Sequence, residues 1–308
     1  MAIKLGVHTG PQDLSMEELQ RIWRTADDAG FHWISVWDHF YANPLQSREN
    51  PCFEGVASMA ALAALTKNVQ VGCLVFCSSF RPPGVLAKAA TTIDHLSGGR
   101  ANIGLGAGWF EEEWREFGYG FPPLRERMDH LEESIQVLRS LLHEDSTTFK
   151  GEYLQYDGAV CSPRPVNPRL PIWIGGRGER RTPTLAARFA DGFNVPYAPP
   201  ELFADRVARL DRFCEEFGRD PAEIERSVNV GFYMSASVSQ ASEQERSGFM
   251  ARMGGAGMLV GTPAQAIDRI GEYERAGAQG LNIAFRPPVD WEAFQAFIEE
   301  VLPVFHES

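Results

Sequence analysis

Short apolar runs rich in β-branched and aromatic residues alternate with longer amphipathic stretches along nearly the whole chain. The short runs predict strands over residues 3–8, 33–37, 69–75, 100–105, 171–174, from Phe193 onward, 227–235 and 280–285. The longer stretches predict helices over residues 15–29, 53–66, 83–96, 124–142, 199–217, 263–276 and 291–305. A further helix opens at Glu179 and ends at Asp191-Gly192, and residues 242–253 are weakly amphipathic. Ser15 with Glu18 three residues on has capping-box form, Gly30 stops that helix, and Gly98-Gly99 breaks the one over 83–96. Residues 149–160 read as an inserted hairpin. Strands separated by helices must run parallel with right-handed crossovers. The continuous apolar runs WISVW (33–37) and LNIAF (281–285) suit strands covered on both faces. Eight such units predict an α/β fold, a (β/α)8 TIM barrel with insertions, formed as one domain over residues 1–308.

The length of 308 residues fits either two domains of about 150 residues or one barrel of about 250 with insertions, and the alternation favours the barrel. A net charge of −12 argues against a nucleic-acid or anionic-membrane partner, since both need a basic face. No apolar run approaches the roughly 18 residues of a spanning helix, and the N-terminus lacks a signal pattern. A soluble, cytoplasmic protein is expected. The five cysteines (Cys52, Cys73, Cys77, Cys161, Cys214) are scattered, with no CxxC pair and no zinc-like Cys/His spacing. They read as buried thiols, and no metal site is expected.

In such a barrel the chemistry lies at the C-terminal ends of the strands. Residues 175–181 form a glycine-rich turn, with Gly175, Gly176 and Gly178, running into a helix that opens with arginines. Glycines allow close backbone approach. A helix N-terminus with Arg177, Arg180 and Arg181 suits a phosphate, and by local sequence alone it equally suits an ordinary turn with solvated arginines. Asp38-His39 ends the second strand. Histidine can give or take a proton near neutrality; the plainer reading is a loop-capping aspartate and a satisfied interior histidine. His8 at a neighbouring strand end favours a shared pocket. Cys73 and Cys77 have no base beside them in sequence and read as pocket lining. The acidic run Glu111, Glu112, Glu113 could supply a carboxylate, but such a run is more often a solvated face or a first helical turn. Trp37, Phe40, Phe76, Trp109 and Phe110 suggest an apolar pocket. The chain has no G-x-S-x-G elbow, Walker loop or H-E-x-x-H.

Six stretches together resemble one family: VWDHF (36–40), EGVASMAALAALT (54–66), FRPPGVLAKAATTIDHLSGGR (80–100), IGLGAGWFEEEWREFG (103–118), PIWIGGRGERRT (171–182) and AARFADGFN (186–194). The chain resembles the bacterial luciferase-like family of flavin- or deazaflavin-dependent oxidoreductases, and within it most of all the coenzyme F420-dependent subgroup. The resemblance implies coenzyme F420, or alternatively FMN, in the strand-end pocket. It implies that Asp38 and His39 sit beside the ring, backed by a non-proline cis bond at Leu74-Val75. It implies that Ala107 and Gly108 contact the cofactor, that Gly175, Gly176, Arg177, Gly178 and Arg181 hold its phosphate, and that the protein is a homodimer. The phosphate loop would follow the fifth strand, not strands seven and eight as in the general barrel rule. Deazaflavin sugar and alcohol dehydrogenases carry a glutamate proton donor where this chain has Trp109. That departure argues against an alcohol or sugar-phosphate substrate and leaves His39 as the acid/base, with His8 as its partner. The expected activity is hydride transfer between the deazaflavin and a small organic substrate. The alternatives are an alkanesulfonate-type monooxygenase using reduced FMN and oxygen, and a barrel that binds its cofactor without catalysis.

Overall fold

Eight parallel strands close into a barrel, and the residues paired across each seam explain why it closes. A computed structural model describes residues 3–43, 47–234 and 257–306. In chain order the first half runs β1 (Lys4–Thr9), α1 (Met16–Ala29), β2 (Trp33–Val36), α2 (Gly55–Leu65), β3 (Gln70–Cys77), α3 (Pro83–Ser97), β4 (Ala101–Gly106), α4 (Glu111–Glu116) and α5 (Leu124–His143). The second half runs β5 (Thr147–Lys150), β6 (Gln155–Ala159), β7 (Ile172–Gly175), α6 (Arg181–Phe189), β8 (Gly192–Pro196), α7 (Pro200–Glu216), β9 (Glu225–Met234), β10 (Met258–Gly261), α8 (Pro263–Arg275), β11 (Gly280–Phe285), α9 (Trp291–Ala296) and α10 (Leu302–His306). The barrel order is β1-β2-β3-β4-β7-β8-β9-β11, closed by β11 on β1. β5 and β6 form the inserted antiparallel hairpin.

Bulky side chains and small residues meet across paired strands. Trp173 stands opposite Gly192, where a Cβ would come within 2.2 Å of the indole. Gly6 stands opposite Asn282, whose amide oxygen would be 2.1 Å from a Cβ there. Trp33, Leu74 and Trp173 form a cluster of their own, separate from the main apolar core. Buried Asn194 donates to Ser227 and Asn229, and Asn282 also donates to Asn229. These pairings satisfy polar groups that would otherwise be costly to bury.

The sequence places all eight barrel strands and the hairpin. It misses β10, a four-residue strand that pairs with the far half of β9 and is too short to show a period. It also misses α4, hidden in the connection after β4. The capping box expected at Ser15 is half formed: Ser15 Oγ accepts the Glu18 N–H, while the reciprocal box occurs at Thr262 and Gln265. The single helix expected over 291–305 is broken by a π-helical turn, Phe297–Val301. The stretch 242–253 lies outside the described residues.

Asp27, buried in α1, ties that helix to the entry of β3. Its carboxylate accepts the N–H groups of Lys67, Asn68 and Val69 at 2.8, 2.9 and 2.9 Å. Burial alone would raise its pKa, but these amides and the Arg100 charge hold it below the usual carboxylate value. A depressed folded-state pKa means stability that is present above the ordinary value and lost as pH falls through the lower one. Asp27→Ala should cost roughly 2–4 kcal/mol at neutral pH, with the gap to wild type closing in strong acid. Denaturant midpoints across pH check it, and equal stabilities at neutral pH would refute it.

Candidate active site

The strand ends open into a cavity of about 1030 Å³. One wall is built by Leu74 and Val75, joined by a cis peptide bond, as the resemblance implied. The β3–β4 register shifts between Cys73 and Phe76, across this bond. Val75 is seated against two glycines: a Cβ at Gly106 or Gly175 would lie 2.6 Å from its methyl groups. Gly108 has φ +74°, and a Cβ there would strike Trp114 at 2.6 Å. The chain can therefore run past Trp114 at that point only as glycine.

His39 and His8 both line this cavity, but in different states. His39 Nδ1 lies 2.8 Å from Oε1 of Glu113, and Oε2 of the same carboxylate accepts the Phe40 N–H at 2.9 Å. Trp109 stands edge-on to the His39 ring at 5.7 Å and is 61% exposed at the rim. His8 is fully enclosed. Its Nδ1 is 2.8 Å from Ser35 Oγ and its ring packs against Trp37 at 4.9 Å. Burial, then the Arg286 charge and the nearby His39, lower its pKa to about 3. His8 is thus a neutral ring at physiological pH.

Asp38 lines the cavity, and its carboxylate is buried and held by protein groups. Both oxygens receive Arg81, each at 2.8 Å, and Oδ2 also accepts the Cys77 N–H at 3.0 Å. Arg81 continues to Glu54, whose other oxygen caps α2. These contacts match the plainer of the two sequence readings, a loop-capping aspartate: Asp38 anchors the loop that carries His39. The Cys73 and Cys77 thiols are pushed up by burial, which keeps them protonated and disfavours a nucleophile; Cys77 lines the cavity as expected, whereas Cys73 lies in the apolar core instead. Arg286 lies over Trp37 at 5.0 Å and donates to the Asn43 carbonyl and, at 3.4 Å, to the Tyr197 hydroxyl.

The glycine turn borders the same cavity. The Gly176 N–H donates to the Asn194 carbonyl at 3.0 Å. A Cβ at Gly178 would sit 2.5 Å from Thr182 Oγ1, so the turn folds flat onto the first residues of α6. That helix starts at Arg181, two residues later than expected, and no side chain caps it. Arg206, buried in α7, donates to the Arg177 carbonyl at 2.9 Å and braces the turn from behind. The two arginines assigned to the phosphate differ. Arg181 is paired with Asp129 at 2.5 Å and with the Arg125 carbonyl. Arg177 has no acidic partner among the described residues.

Residues 1–254 match the sequence profile of the luciferase-like monooxygenase family. The chain belongs to that family. Among curated relatives it is 28% identical to an F420-dependent glucose-6-phosphate dehydrogenase of Amycolatopsis mediterranei (strain U-32), aligned over 98% of each chain. It is 34% identical to pyrimidine monooxygenase RutA of Escherichia coli (strain SMS-3-5 / SECEC), over 54% of this chain and 47% of that one. The fold of an F420-dependent secondary alcohol dehydrogenase in complex with an F420-acetone adduct superposes with a TM-score of 0.87, at 20% identity and over 99% of both chains. A long-chain alkane monooxygenase (LadA) superposes with a TM-score of 0.80, at 16% identity, over 100% of this chain and 92% of that one. The likeness to these two structures is one of fold.

Three side chains that shape this luciferase-like site have no individual role assigned from sequence: Glu113, seen only as one of an acidic run, Arg81, seen only as a residue after the third strand, and Arg206. Glu113 had a signal. Phe110, Glu113 and Trp114 fall at i, i+3 and i+4, the spacing of an inward stripe, and all three are buried. Glu111 and Glu112 lie off that stripe and are exposed, so the solvated-face reading holds for them alone. Arg81 and Arg206 act across 43 and 29 residues of sequence, and no local pattern reports such partners.

The neutral state of His8 has a measurable consequence. Between pH 6.5 and about 3 the unfolded chain binds a proton that the folded protein excludes. Stability therefore falls with pH through that window, by roughly 4 kcal/mol near its lower end. His8→Gln keeps a partner for Ser35 and should flatten the slope by that amount. Unfolding curves from pH 7 down to acid read it, and identical slopes in both proteins would refute it.

Proposed function

We propose that the chain is a cytoplasmic, coenzyme F420-dependent oxidoreductase that passes a hydride between the deazaflavin and a small organic substrate. The observation that carries this reading is the alignment with an F420-dependent dehydrogenase over 98% of both chains. Among the described residues no helix is long and apolar enough to cross a membrane.

The residues fit such a group. The turn at Gly176 and Gly178, the uncapped start of α6 and the acid-free Arg177 suit a phosphate. The Leu74-Val75 wall, seated on glycines, suits a flat apolar ring. When bound, coenzyme F420 supplies the hydride chemistry. The chain's own side chains do the rest. Arg177 and the loop amides hold the phosphate, and Arg181, already paired with Asp129, fixes the start of α6. Leu74, Val75, Ala107 and Gly108 form the ring's bed. Trp37 and Trp109 exclude water. His39 gives or takes the proton that accompanies the hydride at the substrate. Neutral His8 packs and hydrogen-bonds beside it. Asp38 keeps its place in the site by holding the His39 loop.

A second reading, an FMN-dependent monooxygenase, is favoured by the 34% identity to RutA over about half of the chain. Titration of the purified protein with both cofactors separates them. Coenzyme F420 should bind in the micromolar range, and Arg177→Ala should weaken it roughly tenfold. Tight binding of FMN with none of F420 would transfer the protein to the second reading.

We also propose a homodimer. Helix α2 (GVASMAALAAL) carries no charged residue, yet Ala57 and Ala64 are exposed and Val56, Ala60 and Ala61 half-buried. A second subunit covering this face explains such a helix better than solvent does. Light scattering should give twice the 34.2 kDa of one chain, and a monomer at that mass would end the idea.

A further inference from the structure

His39 has two ring nitrogens, and the structure commits one of them. Nδ1 meets Oε1 of Glu113, and Oε2 of Glu113 receives the backbone N–H of Phe40. One carboxylate, 1% exposed, thereby holds two consecutive residues of the loop after β2. A carboxylate can only accept, and the Phe40 amide can only donate. Nδ1 therefore carries a proton, and in the neutral ring Nε2 does not. Nε2 has no hydrogen-bond partner among the described residues, and the ring lines the cavity. Trp109 and Phe110 stand edge-on to it at 5.7 and 6.0 Å and fix its plane.

We infer that Glu113 is a positioning residue that locks His39 in the Nδ1–H tautomer and so presents a bare Nε2 to the cavity as the proton acceptor. The inference rests on the reading of His39 as the proton-transfer group, but the tautomer itself can be tested without any cofactor. A residue needed only to tie two loops would serve as well as an amide. A residue that sets the tautomer would not, because glutamine offers one acceptor oxygen and one NH2 donor. If that oxygen accepts the buried Phe40 N–H, the NH2 faces Nδ1. Nδ1 must then become the acceptor, and the proton moves to Nε2. The opposite rotamer sets the NH2 against the Phe40 N–H, donor against donor, in a buried site.

The experiment uses 15N-histidine-labelled, cofactor-free protein at a pH where the imidazoles are neutral. Loss of a signal in His39→Asn assigns the ring. Long-range proton–nitrogen spectra should show a protonated Nδ1 in wild type and a protonated Nε2 in Glu113→Gln. With coenzyme F420 and a turned-over substrate, Glu113→Gln should lose as much kcat as His39→Asn, roughly 10²–10⁴-fold, with cofactor affinity retained. Glu112→Gln, the exposed neighbour, should match wild type in both measurements. The same tautomer in wild type and Glu113→Gln overturns the inference, as does a flipped tautomer with unchanged kcat. A flip in a protein that turns over nothing with coenzyme F420 supports tautomer control and overturns only the deazaflavin reading.

Discussion

A parallel strand cannot turn straight back on itself, and this chain is built around that constraint. Each barrel strand must leave at one end, cross outside and re-enter at the other. Closing β11 on β1 removes the sheet edges and forces every outgoing loop onto one rim. His8, His39, Gly108, Gly176 and Arg286 come from five different strands, yet they border one cavity because they have nowhere else to go. Sequence distance then stops mattering: His39 and Glu113 are 74 residues apart and 2.8 Å apart.

Three buried carboxylates hold this frame, and they share a design. Asp27 accepts three backbone amides below the barrel, Asp38 accepts the Cys77 amide above it, and Glu113 accepts that of Phe40. Asp38 is paired with Arg81 and Glu113 with His39, while the Arg100 charge lies near Asp27 without pairing to it. Buried ion pairs contribute little net stability, because desolvation offsets attraction. What they do well is fix geometry, since removing one partner strands the other. Here Asp27 pins the turn that enters β3, Asp38 ties its own loop to the end of β3, and Glu113 pins the loop after β2; the last two border the cavity.

The fold was legible because periodicity and stop signals act locally. Gly30 takes the left-handed conformation that ends α1, and the apolar runs at 33–37 and 281–285 became β2 and β11. The cis bond after Leu74 was foreseen only through the family resemblance and not from the residues themselves. What the sequence could not show was the direction of each side chain. Asp38 and His39 are neighbours, but one carboxylate turns to Arg81 while the other ring turns to Glu113. Whether an arginine is free or already paired, as with Arg177 and Arg181, is likewise a three-dimensional fact. β10 and α4 escaped because four and six residues are too few to establish a period.

The enclosure of His8 reaches beyond stability. Buried, and with the Arg286 charge nearby, this ring stays unprotonated well below neutral pH. Of the two imidazoles that border the cavity, His8 is therefore closed to a proton near neutrality. On the proposed reading of His39, a proton has one imidazole to pass through, at the ring nitrogen that faces away from Glu113.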